Sequence, residues 1–157
     1  MQPNTRSNPL CSRSEGNSLV ELVVVITLLG LLCSFAIPRF TRLENDVRAS
    51  EVVALSVNLR SASAAAHAQY VESGGRLSSA TVKGRSIQLK NGYPDAGSKG
   101  IRLAVPDLSD FTVSSTTTSV TYSKTGAPAA AQCAVTYRAS PAVSSEPTIT
   151  DLHTGGC

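Results

Sequence analysis

The stretch Gly16-Asn17-Ser18-Leu19-Val20-Glu21 runs directly into Leu22-Val23-Val24-Val25-Ile26-Thr27-Leu28-Leu29-Gly30-Leu31-Leu32-Cys33-Ser34-Phe35-Ala36-Ile37-Pro38. After Glu21 no charged residue occurs until Arg39. From Asn17 to Ile37 is about 21 residues, or roughly 31 Å of helix at about 1.5 Å per residue, enough to cross a bilayer core. The pattern predicts a helix that is apolar all round, preceded by a polar leader ending at Gly16.

Glu21 is the anomaly in this run. A charged side chain beside an apolar span costs about 2.5 kcal/mol or more unless it stays wet or finds a partner. One reading places Glu21 at a membrane interface, in contact with water. The other has the carboxylate waiting for a positive charge from another molecule. A free α-amino group made by cutting after Gly16 supplies such a charge.

These residues resemble the processing site of type IV prepilins. That family carries a short basic leader ending in glycine, a glutamate soon after it, and a long apolar helix. Gly16, Ser18, Leu19, Val20, Glu21 and the run to Ile37 match the pattern, and Pro38 falls where the family has a proline. Asn17 departs from it, because Phe or Met is usual there. The resemblance implies cleavage between Gly16 and Asn17 by an inner-membrane prepilin peptidase and N-methylation of Asn17. It also implies a role for Glu21 in setting subunit register during assembly. Pro38 removes a helix hydrogen bond and clashes with the preceding turn, so a kink is expected there.

The remaining composition bounds the rest of the chain. A length of 157 residues suits one compact domain plus this helix. Hydrophobic content is 41%, but Leu19 to Ile37 takes a large share of it. Aromatics are 4% and tryptophan is absent, which predicts a small aliphatic core. A net charge of +3, with no Lys/Arg cluster interleaved with aromatics, gives no expectation of nucleic acid. The leader holds Arg6 and Arg13 and lacks an apolar segment of its own, unlike a secretory signal. Its basic charge predicts leader inside and C-terminus outside.

Of the four cysteines, Cys11 leaves with the leader, and Cys33 lies in the apolar run, where a buried thiol is expected. Cys133 and Cys157 lie on the predicted outer side, where an oxidising compartment favours a bridge between them. Such a bridge closes a loop of about 25 residues, worth roughly 3 kcal/mol in the chain-entropy model.

Beyond Arg39 the helical spacing continues through Phe40, Leu43, Val47, Leu55, Leu59, Ala62, Ala66 and Tyr70, with Arg42, Glu44, Arg48, Glu51 and Arg60 between them. Gly74-Gly75 is the expected stop. The helix is predicted from about Ser18 to Ser73. After it the pattern turns to strands: Ser86 to Leu89, a turn at Asn91-Gly92-Tyr93-Pro94-Asp95, and a helical turn within Gly100 to Val105. Then come a hairpin from Phe111–Ser114 and Ser119–Tyr122, a strand from Cys133 to Tyr137, and Thr148–Thr150 pairing with it. The expected fold is α+β, with about four antiparallel strands on the amphipathic half of a long N-terminal helix whose first half spans a membrane. The expected organisation is leader 1–16, spanning and filament-core helix 17–38, amphipathic helix 39–75, and head 76–157. The segment Leu89 to Asp95 and the closing Cys133/Cys157 pair look most like pilins of the mannose-sensitive haemagglutinin type.

No residue set points to catalysis, a cofactor or a metal. HExxH, GxSxG, P-loop and CxxC patterns are absent, and His67 and His153 stand alone in sequence. Asp107, Ser109 and Asp110 match a calcium loop poorly and read as a solvated loop. The resemblance implies a non-enzymatic filament subunit, held in the inner membrane before assembly and in an extracellular pilus afterwards. Its expected partners are identical or related pilins, the prepilin peptidase and the inner-membrane assembly platform. A pseudopilin of type II secretion is the alternative. A membrane-anchored enzyme or binding module is disfavoured, because an ordinary anchor has no need of Glu21 so close to a glycine cut.

Overall fold

The computed structural model describes residues 19–105, 107–143 and 145–157, apart from the side chains of Pro38, Phe40, Thr41 and Asp151. The chain falls into two compact units, Met1–Phe40 and Thr41–Cys157. Helix α1 (Leu19–Glu72) contributes to both and is 54 residues long. It ends as expected. Gly74 and Gly75 adopt positive φ, the Gly75 amide donates to the Tyr70 carbonyl and the Gly74 amide to that of Val71. These two bonds satisfy carbonyls that the last helical turn leaves open.

In the first unit, residues 19–37 of α1 are all exposed, the large apolar side chains ranging from Val23 at 44% to Leu19 at 77%. Leucines, valines and isoleucines ring the helix, so no face of this segment is polar enough to prefer water. Thr27 and Ser34 donate their hydroxyls to carbonyls one turn back, which hides the polar groups such a helix carries.

In the second unit, α1 gives Val52, Leu55, Leu59, Ala62 and Ala66 to a buried core shared with the strands. The expected stripe began earlier, at Phe40, Leu43 and Val47. Leu43 and Val47 are instead 59% and 48% exposed, and the Phe40 side chain lies outside the described residues. Spacing shows which helix positions share a face, but not how far along the helix the strands reach.

About four strands were expected; seven occur among the described residues, in two antiparallel sheets. The first sheet joins β1 (Ser79–Val82), β2 (Arg85–Lys90) and β3 (Tyr93–Pro94) in that order. Its two turns, Lys83-Gly84 and Asn91-Gly92, have positive φ at both residues, the form that matches the twist of two-residue hairpins. The 3-10 turn at Ile101–Ala104 follows. The second sheet is a meander of β4 (Phe111–Ser115), β5 (Ser119–Lys124), β6 (Ala134–Arg138) and β7 (Thr148–His153).

β1 was missed because Ser-Ala-Thr-Val carries little apolar signal. The Gln69 amide on α1 fixes its place, donating to the Thr81 carbonyl at 2.8 Å and accepting the Thr81 amide at 3.0 Å. β6 also departs from simple alternation, since Ala134, Val135, Thr136 and Tyr137 are all buried. Tyr137 Oη donates to the Pro94 carbonyl at 2.7 Å and so ties the second sheet to the first. At Gly92 a side chain would meet the Tyr70 ring at 2.7 Å, and φ there is +84°, so this turn accepts glycine alone without rearrangement.

Tyr122 and Tyr137 are fully buried, and burial raises both phenols above the usual value of 10.0. Folding therefore favours their protonated forms. That contribution is complete below about pH 10 and declines as the pH rises beyond it. Tyr137→Phe orphans the Pro94 carbonyl and is expected to cost about 1–3 kcal/mol, measured by thermal unfolding at pH 7. The variant should also lose less stability than the wild type between pH 9 and pH 11; equal alkaline losses would show that Tyr137 does not titrate with unfolding.

Candidate assembly segment

Of the residues singled out by sequence, Gly16 and Asn17 lie outside those the structure describes. Glu21 lies on α1 among Leu19, Val20 and Leu22, exposed like its neighbours. Pro38 falls within the helix assigned to α1. Cys33 is an exposed free thiol on the same apolar surface, not a buried one, because no described residue of the first unit covers the run.

One predicted pair is joined. Cys133 and Cys157 form a disulfide with an S–S distance of 2.03 Å and a Cα–Cα distance of 4.8 Å, and both residues are buried. The backbone supports the bridge on either side. The Gly156 amide donates to the Gln132 carbonyl, and the Ala129 amide donates to that of Gly156. Arg48 on α1 donates to the Cys157 carbonyl at 3.0 Å while pairing with Glu44 at 3.2 Å. The C-terminal strand pair, its bridge and the helix are thus fastened together in the second unit.

A second fastening was not foreseen. Lys124, a residue type seldom buried, ends β5 almost fully covered. Its ammonium lies 2.6 Å from Glu51 on α1 and 3.6 Å from Asp110, and 5.1 Å from the centre of the Phe111 ring. A covered charge needs such partners, and here they link the helix to the β4–β5 hairpin. The strand expected from sequence stopped at Tyr122, short of Lys124, and nothing local in the sequence shows that a helix residue 73 positions earlier faces that lysine.

The isolated candidates resolve into structural roles. His67 Nδ1 lies 2.9 Å from the Gly92 carbonyl, and its ring stacks on Tyr93 at 4.0 Å with a 3° interplanar angle. Asp107 accepts the Ser109 amide and hydroxyl, and these two bonds hold its carboxyl below the usual range. Asp110 turns to Lys124. Among the described residues no group of three or more His, Cys, Asp or Glu side chains could hold a metal ion.

The chain is 39% identical over 57 residues to the type IV narrow pilus major component PilA5 of Thermus thermophilus. The match covers 36% of this chain and 49% of that protein, so the chain spans about half the length of the curated relative it matches. No family model matches, and no solved structure matches. The similarity supports the type IV pilin family. Among the described residues one helix, α1, is long and apolar enough to cross a membrane by length and composition.

Proposed function

We propose that this chain is a structural subunit of a type IV pilus. The observation that carries this reading is the bare apolar segment of α1 with its single carboxylate, Glu21, on a chain similar to a pilus major component. Such a segment has two environments that satisfy it: a bilayer before assembly, and the apolar segments of neighbouring subunits afterwards. In this reading the subunit waits in the inner membrane with its head outside and enters the filament through the assembly platform. Cutting after Gly16 gives Asn17 a new amino group, which is then N-methylated. That amine in one subunit meets Glu21 of the next, while Pro38 lets the helix bend as subunits pack. The Cys133–Cys157 bridge and the turn at Asn91-Gly92 support the narrower likeness to pilins of the mannose-sensitive haemagglutinin type, and favour it over a secretion pseudopilin.

Mass spectrometry and N-terminal sequencing of protein from sheared surface filaments test this reading. The mature chain is expected to begin at methylated Asn17, and Gly16→Ala is expected to leave the leader attached. Normal processing of Gly16→Ala, or no such chain in the filaments, would overturn it.

A further inference from the structure

One cleft in the second unit lies far in sequence from the apolar segment, on the outward face of the first sheet. Its volume is about 700 Å³, and its walls include Ser79, Ser86, Gln88, Lys90, Asp95 and Lys99. Register explains why these polar groups converge. Ser79 pairs directly with Gln88, and Ser86, Gln88 and Lys90 alternate along one face of β2, opposite the buried Ile87. Backbone bonds hold the rim: the Gln88 amide donates to the Lys99 carbonyl at 2.8 Å, and the Asp95 amide to the Gln88 carbonyl at 3.0 Å. The floor and rim are therefore pre-positioned, which lowers the ordering cost of binding.

The chain segment that forms this sheet and its flanking turns is basic. Residues 76–105 hold Arg76, Lys83, Arg85, Lys90, Lys99 and Arg102 against Asp95 alone, a local net of +5 in a chain whose total is +3. All six cations are exposed. None of the six side chains named in the cleft forms an ion pair or side-chain hydrogen bond among the described residues, so their capacity is open to a ligand.

We propose that this cleft binds an acidic saccharide, a sugar chain bearing carboxylates. The ammonium groups of Lys90 and Lys99 donate to the ligand carboxylate. The serine hydroxyls and the Gln88 amide both donate and accept, and Asp95 accepts from sugar hydroxyls. This mixture matches a ligand that is itself both hydroxyl donor and anion. A phosphodiester backbone fits less well, because it presents no donor to Asp95, and the cleft has no aromatic wall on which bases could stack. Lys90 also lines a second cleft, of about 450 Å³, with Thr118, Arg138, Glu146 and Thr148.

The test uses the full chain in detergent, titrated calorimetrically with oligogalacturonate, with neutral oligogalactan of equal length and with duplex DNA. Oligogalacturonate is expected to bind at least tenfold more tightly than the neutral sugar or the DNA, and more weakly at higher salt. Lys99→Gln is expected to weaken it about tenfold. Asp95→Asn is the deciding variant. It leaves the backbone bonds of the rim in place and removes a negative charge, so a simple polyanion surface would bind the acidic sugar more tightly. An acceptor for sugar hydroxyls would bind it more weakly, by about fivefold to tenfold. Tighter binding by Asp95→Asn, preference for DNA, or no binding of oligogalacturonate at millimolar concentration would overturn the proposal. None of these measurements depends on filament formation.

Discussion

Replacing Glu21 with valine is expected to leave expression and membrane insertion unchanged and to cut filament yield at least tenfold. The valine suits a bilayer better than the carboxylate did, so insertion has no reason to suffer. Assembly differs under the proposed function, because there the new amino group at Asn17 enters the apolar interior of the filament with its partner gone. A charge left unpaired in a buried pair typically costs about 3–5 kcal/mol, while the intact pair adds little net stability over an apolar substitute. In the proposed filament the bulk attraction comes from packing of Leu22 to Ile37, and the proposed role of Glu21 is to make one stagger between neighbours better than the others. The cost falls on every subunit added, so even the lower figure amounts to more than a hundredfold in an addition equilibrium. Electron microscopy counts of filaments alongside blots of the membrane fraction separate the two effects. Abundant, normal filaments built from Glu21→Val alone would refute the register role.

Cys133→Ser is expected to destabilise the head by about 2–5 kcal/mol. Closing a loop with a sequence separation of 24 restricts the unfolded chain by about 3 kcal/mol in the entropic account. The bridge also holds in place the segment that supplies the Cys157 carbonyl to Arg48 and the Gly156 carbonyl to Ala129. For a unit of this size, at roughly 3–6 °C per kcal/mol, the loss corresponds to a fall of about 6–30 °C in Tm. Thermal unfolding of the variant, and of reduced wild-type protein, measures it, and the two should agree. A change below about 1 kcal/mol in both would show that backbone bonds alone secure the C-terminal segment.

The parts of this fold that were legible in sequence are those encoded by neighbours. Gly74-Gly75 can only close a helix economically, Asn91-Gly92 only turns a hairpin, and the alternation in Phe111–Ser115 and Ser119–Lys124 belongs to paired strands. The cysteine pair was readable because an expected oxidising compartment favours a bridge between the two cysteines predicted to lie on the outer side. What escaped depended on distant partners. β1 is held by Gln69, and the burial of Lys124 depends on Glu51. The exposure of Leu43 and Val47 depends on where the strands stop covering the helix. The cleft on the first sheet was invisible for a similar reason. Ser79, Ser86, Gln88, Lys90, Asp95 and Lys99 look like ordinary surface residues until the β1–β2 register and the bend back from Asp95 to Lys99 bring them together. For the apolar segment, sequence and structure give the same information, since its meaning lies in what it lacks on every side.

Both sheets are simple meanders in which each strand pairs with the next in the chain. No strand is threaded between others that precede or follow it, so a hairpin tip can be lengthened without re-routing the backbone. Doubling a loop's length adds only about 0.6 kcal/mol of closure entropy. The tips at Lys83-Gly84 and at Thr116–Thr118 are therefore natural places to graft a foreign peptide. In a polymer of this subunit, such a graft would be presented many times over at a regular spacing, turning the head into a scaffold for ordered multivalent display.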